Sequence, residues 1–190
     1  MEFFDICDES GQPTGQMVER SIAHRDGILH RTVHIWVTRQ QDGKQQILLQ
    51  KRSAQKDSFP GMYDTSSAGH IQAGDEPLES AVRELREELG ITADVEQFRF
   101  IGNFRVNYAL EFHGEMFRDD EFVFIYLFQG AVKAEKLTLQ EEEVERVDWF
   151  DLEEVWHDCS HGIRDRFCVP TESLEILMRA LSGESSGGRA

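Results

Sequence analysis

The sequence predicts a single domain of the α/β (α+β) class. Strand-type patterns occur before residue 60 and again between residues 100 and 129, whereas helical spacing of apolar residues appears from residue 77 and near the C-terminal end. The chain has 190 residues and is 39% hydrophobic, which is enough for one core and too little to demand two. We therefore assign residues 1–181 to one domain and expect the Gly/Ser-rich tail 182–190 to be disordered.

Four strands are predicted before the first helix. Residues 3–7 and 16–19 flank a segment rich in Gly, Pro and Asp, and this pattern indicates a turn between two short strands. Residues 31–39 and 46–52 form a predicted hairpin around Asp42 and Gly43. Residues 58–74 follow as a predicted loop, which ends where helical periodicity begins at a proline.

The second half of the chain alternates strands and helices. Residues 100–108 and 121–129 are predicted strands, and the apolar run in the second of them is typical of a central strand covered on both faces. A further strand is predicted at 147–150. Helices are predicted at 152–156 and 172–181.

The charge and the cysteines limit the classes of function. Lys and Arg total 20 against 36 Asp and Glu, so the net charge is -16, and such a field repels nucleic-acid polymers and anionic membranes. An acidic protein can still bind an anionic metabolite if metal ions reverse the charge locally. The N-terminal residues lack the pattern of a secretory signal, and the three cysteines lack metal-ligand spacing, so we expect a cytoplasmic protein.

The predicted helix at 77–89 carries three carboxylates on one side. Its apolar residues cover one arc of about 100° that should face the core, and Gly90 follows as a helix stop. Glu84, Glu87 and Glu88 stand at i, i+3 and i+4 and share a neighbouring arc. Because like charges at this spacing repel, they indicate either a solvated acidic face or a site for a hard cation such as Mg²⁺ or Mn²⁺.

The residues around these carboxylates favour the metal site. The stretch 69–91 resembles the Nudix box, G-x(5)-E-x(7)-R-E-U-x-E-E-x-G-U, where U is a bulky aliphatic residue, and eight of its nine specified positions agree. The departure is Asp75, which is one methylene shorter than the family's glutamate and concerns the loop before the helix. The matching positions are Gly69, Arg83, Glu84, Leu85, Glu87, Glu88, Gly90 and Ile91.

This resemblance implies a Nudix fold, with a mixed β-sheet sandwiched between helices, and hydrolysis that depends on Mg²⁺ or Mn²⁺. It implies that the three box glutamates bind the metal together with the backbone carbonyl of Ala68, and that Glu84 serves as, or orients, the general base. Arg83 would hold Glu87 in place. Of the acidic residues further along the chain, we prefer Glu121 for a catalytic role, because it begins a strand that could face the box helix. The expected catalytic residues are Glu84, Glu87, Glu88, Arg83 and Glu121.

Outside the box, the sequence resembles the isopentenyl-diphosphate isomerase branch of the superfamily and its hydrolase-like relatives. The matching segments include residues 30–31, 49–53, 59–64 and 68–70. The isomerases build a second metal site from three histidines and two downstream acids, and hydrogen-bonded or exposed imidazoles without metal are the alternative here. The counterparts in this chain are His24, His30, His70, Asp119 and Glu121.

Three further positions bear on the reaction. Arg52 and Lys56 fall where the isomerases bind the substrate diphosphate. The alternative is that these two cations are simply the solvated basic end of a strand. Ala68 falls where the isomerases place their catalytic cysteine, and a methyl group cannot transfer a proton. The resemblance therefore favours a hydrolase over an isomerase.

The sequence thus predicts a divalent-metal-dependent Nudix hydrolase that cleaves a diphosphate linkage in a nucleoside diphosphate derivative or related small phosphorylated metabolite. Isopentenyl-diphosphate isomerase and a non-catalytic nucleotide-binding sensor are the alternatives. We expect no nucleic-acid polymer and no membrane among its partners, and a homodimer is a further expectation. Aromatic residues that would recognise a base, if they are not core residues, are Trp36, Phe59, Tyr63 and Tyr108.

Overall fold

The computed structural model describes residues 1–163 and 165–183. Of the tail that was predicted to be disordered, Ser182 ends the last helix, and residues 184–190 lie outside the described residues. Two short 3₁₀ turns occur at Val95–Gln97 and Ala134–Lys136. The strands and helices are β1 (Phe3–Cys7), β2 (Pro13–Glu19), α1 (Arg20–Asp26), β3 (His30–Gln41), β4 (Lys44–Arg52), β5 (Tyr63–Asp64), β6 (Ser67–His70), α2 (Pro77–Leu89), β7 (Phe98–Phe112), β8 (Glu115–Phe128), β9 (Val144–Asp151), α3 (Leu152–Ser160) and α4 (Thr171–Ser182).

Strand β3 organises the sheet. Its residues 30–37 pair in parallel with residues 121–128 of β8, and its other side pairs antiparallel with β6 and, further along, with β4. The long hairpin of β7 and β8 extends the sheet on one side, and β4 pairs with β5 and β9 on the other. The sheet is therefore mixed, as predicted, and β3 holds the strands that meet at the candidate site.

Helices cover both faces of this sheet. The side chains of β3 alternate, so that Val33, Ile35 and Val37 pack in one apolar cluster with Leu85 of α2. Trp36 points to the opposite cluster, where α3 and α4 pack, and its indole Nε1–H donates to Ser173 Oγ at 3.1 Å. Residues of β8 likewise alternate between the two clusters, which confirms the prediction of a strand covered on both faces.

Three local predictions were wrong or incomplete. The segment 58–74 is not a continuous loop, since β5 and β6 lie within it and pair with β4 and β3. Helix α1 was not predicted because it has only seven residues and buries only Ala23 and His24, which is too few for a periodic pattern. Strands β7 and β8 are longer than the predicted strands 100–108 and 121–129, and they form a hairpin that turns at His113 and Gly114, both at positive φ.

Helix α2 begins and ends where the sequence predicts. Pro77 occupies its first turn, and Gly90 adopts the left-handed conformation at φ 68° that glycine tolerates best. A Cβ at Gly90 would lie 2.8 Å from the backbone oxygen of Thr138, so the next segment of the chain also packs against this stop. Both ends of α2 are therefore defined by residues of the helix and its cap.

The buried side of α2 should hold the helix in place. We expect Leu85→Ala to lower the free energy of unfolding by about 2–5 kcal/mol, because Leu85 is fully buried and its loss leaves a cavity. Urea denaturation followed by circular dichroism measures this change. The matched control is the neighbouring exposed residue, Arg86→Ala, which should change the free energy by less than about 0.5 kcal/mol. Equal effects of the two substitutions would contradict the packing described here.

Candidate active site

A cavity of about 290 Å³ opens where α2, β3, β6 and the start of β8 meet. Nine carboxylate side chains line it against three cationic ones, Arg20, Arg52 and Lys56. Such an excess of like charge in one cavity is unfavourable unless cations or protons compensate it. The carboxylates are those of Glu2, Asp57, Asp64, Glu84, Glu87, Glu88, Asp119, Glu121 and Glu143.

Glu84 lies against the backbone of β6. A Cβ at Gly69 would overlap its carboxylate, so glycine is required here by close approach and not by a turn. Burial, together with the nearby Glu88, raises the pKa of Glu84 to about 8. Arg83 Nη2 donates to Glu84 Oε1 at 3.0 Å and to the His70 carbonyl at 2.9 Å, which ties the helix to β6.

Glu88 is held by three donors. Its Oε2 accepts from Ser67 Oγ at 2.7 Å, from the Ala68 backbone N–H at 3.1 Å and from Gln50 Nε2 at 3.3 Å. Only 3% of the residue is exposed, and burial raises the pKa of its carboxyl to about 6. The fold therefore fixes this carboxylate in the cavity wall. Sequence reasoning did not identify Ser67 or Gln50 as its partners.

Glu87 differs from the other two box glutamates because it is exposed. It lies 3.8 Å from Arg86 Nη2, whereas Arg83, its expected partner, contacts Glu84, the His70 carbonyl and, at 3.7 Å, Asp75. In this structure Arg83 therefore contacts Glu84 and β6, and among the described residues no ion pair joins it to Glu87. The i,i+4 spacing allowed that pair, but β6 offers Arg83 a carbonyl on the other side.

Three histidines from separate elements converge beside this cavity: His24 and His70 line it, and His30 is fully buried next to them. His24 of α1, His30 of β3 and His70 of β6 place ring nitrogens within 4.8 Å of one another, and His24 Nε2 lies 3.2 Å from His70 Nε2. Burial lowers the pKa of His30 to about 4 and that of His70 well below its usual value. Both imidazoles are therefore neutral at physiological pH, which is the form that binds metal.

Two acids from β8 complete this group. His30 also forms a cluster with Asp119 and Glu121, and Glu121 Oε1 lies 3.8 Å from His30 Nε2 and 3.7 Å from His70 Nε2. Burial and the nearby Asp119 raise the pKa of Glu121 well above its usual value, and Thr32 Oγ1 donates to its carboxylate at 3.1 Å. The structure thus brings together all five side chains of the predicted second metal set.

The donor chemistry of this set fits a divalent cation. Among the described residues, buried polar atoms without a hydrogen-bond partner include His24 Nδ1, His30 Nε2 and Asp119 Oδ1, although the first lies 3.4 Å from the last. Buried polar atoms rarely remain unpaired, and neutral imidazole with carboxylate is a common ligand combination. Glu84, Glu87 and Glu88, by contrast, do not gather their oxygens as closely as these histidines and acids do within the described residues.

Arg52 and Lys56 both line the cavity, and both already have partners. Arg52 is partly buried and donates to Asp64 Oδ2, to the Ser58 carbonyl and to Ser58 Oγ at 2.9–3.0 Å, which uses three of its five N–H groups. Lys56 forms an ion pair with Glu143. Sequence reasoning did not identify Asp64 and Glu143 as the partners of these two cations.

The four aromatic candidates separate into two groups. Trp36 is fully buried, and Tyr63 is 7% exposed with its hydroxyl donating to Asp148 at 2.5 Å, so both belong to the fold. Phe59 and Tyr108 line the cavity, with ring centroids 5.7 Å apart. Phe117, which the sequence did not single out, lines it as well and stacks on His24 at 4.4 Å.

Comparison with known proteins identifies the family of this chain. The model of the NUDIX domain family matches residues 28–167. The chain is 44% identical over 155 residues to Nudix hydrolase 3 of Arabidopsis thaliana, a match that covers 80% of this chain and 20% of that protein. It therefore spans about a fifth of that relative's length. An uncharacterised Nudix hydrolase of Clostridium acetobutylicum is 38% identical over 154 residues, covering 81% of this chain and 72% of that one.

A solved structure shows the same fold. The protein DR0079 from Deinococcus radiodurans superposes with a TM-score of 0.68 at 19% sequence identity, covering 93% of this chain and 98% of that one.

Among the described residues, no helix combines the length and the apolar character needed to cross a membrane. From the family match and the two sequence relatives we conclude that the chain belongs to the Nudix hydrolase family and is a hydrolase.

Proposed function

We propose that the protein hydrolyses a diphosphate linkage in a small phosphorylated metabolite, with divalent cations bound at two groups of residues that share one cavity. The observation that carries this proposal is the convergence of the three box glutamates, the histidine and acid set, and Arg52 with Lys56 at one cavity of about 290 Å³. All of these side chains line the cavity except His30, which is buried beside it. The volume is in the range of small-molecule sites. A soluble metabolite of the nucleoside diphosphate type is the substrate class that we propose.

The first cation would be held by Glu84, Glu87, Glu88 and the Ala68 carbonyl, as Mg²⁺ or Mn²⁺. The second would be held by the histidine set with Asp119 and Glu121, where the imidazoles favour Mn²⁺ over Mg²⁺. When bound, such cations stabilise negative charge that develops on phosphate oxygens. We place the chain in a hydrolase-like group related to the isopentenyl-diphosphate isomerases, on the strength of this second set.

Side chains of the protein would orient the substrate and accept the proton. Arg52 and Lys56 orient the diphosphate by charge-assisted hydrogen bonds. The oxygen of a water molecule forms a bond to one phosphorus, the P–O–P bridge breaks, and the leaving phosphate keeps the electron pair. Glu84, beside Arg83, takes the proton from that water or orients the group that does. The products are two phosphate compounds.

We expect Glu87→Gln and Glu88→Gln each to lower kcat at least about 100-fold while the fold remains intact, because each substitution replaces an anionic oxygen ligand with an amide. A phosphate-release screen over nucleoside diphosphates, nucleotide sugars and dinucleotides, with Mg²⁺ or Mn²⁺ present, measures this change. The matched control is Glu79→Gln, on the exposed side of the same helix. Full activity of both box variants would rule out the assignment of this helix.

The second metal site is tested by stoichiometry. We expect the triple variant His24→Ala, His30→Ala, His70→Ala to bind one equivalent of Mn²⁺ fewer than the parent protein, because it loses three imidazoles whose ring nitrogens converge within 4.8 Å. Titration followed by electron paramagnetic resonance counts the bound ions. The control triple variant His113→Ala, His157→Ala, His161→Ala removes exposed histidines and should leave the count unchanged. An unchanged count in the first variant would remove the second site from the proposal.

Isomerisation of isopentenyl diphosphate is not expected at a useful rate. Moving a double bond needs two positioned acid/base groups, and Ala68, which lines the cavity, offers only a methyl group where one of them would stand. A positioned proton donor contributes roughly 10²–10⁴-fold, and Glu121 alone does not replace it. Product analysis with isopentenyl diphosphate measures this rate in the parent and in Ala68→Cys. Isomerisation by the parent as fast as diphosphate hydrolysis would reverse the choice between the two reactions.

A further inference from the structure

His34 is a buried histidine that the proposed reaction does not use. It lies on β3 four residues after His30 and on the same face of the sheet, so the two Cα atoms are about 13 Å apart along the strand. Only 7% of the residue is exposed, and it lines the cavity. Its partner on β6 is Ala68, and paired residues point to the same side of a sheet. Because Ala68 presents only a methyl group, the imidazole beside it also reaches the cavity.

The hydrogen bonds behind His34 fix the position of its proton. Ser173 is fully buried, and its Oγ accepts the indole N–H of Trp36 at 3.1 Å. The other hydrogen-bond partner of this hydroxyl among the described residues is His34 Nδ1, at 3.5 Å. The hydroxyl hydrogen is therefore donated to Nδ1, and the proton of the neutral ring lies on Nε2. Burial lowers the pKa of His34, and the charge of the nearby Asp64 opposes this only in part, so the ring is neutral at physiological pH.

The Nε2–H group of His34 is presented to the cavity. In the part of the chain that the structure describes, Nε2 makes no hydrogen bond, and it is not enclosed on all sides. The cations of the cavity wall differ from it, because Arg20, Arg52 and Lys56 each face a carboxylate. A ligand that covered this donor without offering an acceptor would leave it unpaired, which is unfavourable. The position therefore favours a ligand with an oxygen acceptor over a hydrocarbon group.

Asp64 offers an acceptor on the same wall. It lines the cavity together with His34, Cys168 and Pro170. Its carboxylate accepts from Arg52 and from the backbone N–H of the next residue. A carboxylate has about four acceptor positions, so capacity remains for a further donor. A free donor and an acceptor on one wall suit hydroxyl groups, which both accept and donate hydrogen bonds.

From this arrangement we infer that His34 is a substrate-binding residue, whose Nε2–H donates to a sugar hydroxyl of the nucleoside diphosphate while Asp64 accepts from the same sugar. The inference rests on the proposed function, because the diphosphate must lie at the proposed metal ligands and Arg52. In a nucleoside, the base and C5′ project from one face of the ribose ring, and the 2′- and 3′-hydroxyls project from the other. The hydroxyls can therefore face β3 while the base and the diphosphate stay towards the opening of the cavity.

The test compares the common ribonucleoside 5′-diphosphates with their 2′,3′-dideoxy counterparts, which carry the same charge and lack only these hydroxyls. With Mg²⁺ or Mn²⁺ present, we expect the parent protein to prefer each ribonucleotide at least about tenfold in kcat/KM, because the dideoxy compound leaves the His34 donor unpaired. His34→Phe keeps an aromatic ring and removes the donor, so it should abolish the preference. His34→Gln places an amide N–H near the position of Nε2 and should retain part of it.

The matched control is Phe104→Leu. The Phe104 ring packs against His34 with centroids 5.8 Å apart, and it is not among the residues that line the cavity. This variant changes the packing of the imidazole and keeps its donor, so the preference should remain. Persistence of the preference in His34→Phe, its loss in Phe104→Leu, or an effect of His34→Gln equal to that of His34→Phe would overturn the role of His34.

The parent protein alone separates the subsite from the proposed function. Equal kcat/KM for the two members of each pair would overturn the subsite and leave the hydrolase intact, whether or not the variants fold. Hydrolysis of only those diphosphates that lack a sugar hydroxyl would do the same. Failure of the parent to hydrolyse any diphosphate with Mg²⁺ or Mn²⁺ would overturn the proposed function itself.

Discussion

The structure depends on the burial of like-charged carboxylates beside neutral imidazoles in one cavity. Glu84, Glu88 and Glu121 all have raised pKa values, and burial is the largest cause in each case. A fold based on stability alone would replace such groups, since a buried charge without compensation costs more than an apolar side chain of similar size. The arrangement is understandable if the compensation comes from bound cations.

The elements around the cavity serve to hold these groups at fixed positions. Gly69 allows α2 to approach β6 until the Glu84 carboxylate touches the backbone. Ser67, Gln50 and the Ala68 N–H then fix Glu88, while Glu87 at the exposed side has no comparable set of donors among the described residues. One carboxylate of the box is therefore rigid, and another is free to adjust its position when a ligand binds.

Sequence reasoning found the parts of the fold that depend on local pattern. Helix α2 was predicted from its apolar spacing and from Pro77 and Gly90, which act within the helix itself. The segments that it missed depend on distant partners. Strand β6 is only four residues long and forms because β3 pairs with it, and α1 is held by the burial of two side chains. Neither type of contact leaves a periodic signal.

The same distinction applies to the candidate site. The box glutamates were predicted from their spacing, and the histidine set was predicted from a resemblance. Neither line of reasoning predicted that Arg83 donates to Glu84 and to the His70 carbonyl. The i,i+4 rule pairs Arg83 with Glu87 because it considers only side chains of the same helix. It takes no account of the strand that packs beside the helix. Partners such as Asp64 for Arg52 and Glu143 for Lys56 likewise come from other strands and loops, so only the folded chain reveals them.

These ion pairs bear directly on how an acidic protein could bind an anionic substrate. Arg20, Arg52 and Lys56 are the cationic side chains of the cavity wall, and each already faces a carboxylate. A diphosphate must compete with those carboxylates, in a chain whose net charge of -16 repels anions at longer range. Cations bound at the glutamates and at the histidine set would reverse the sign of the local field where the diphosphate lies. On the proposed function, the metals are therefore needed for substrate binding as well as for the reaction, because the chain's own cations are already engaged.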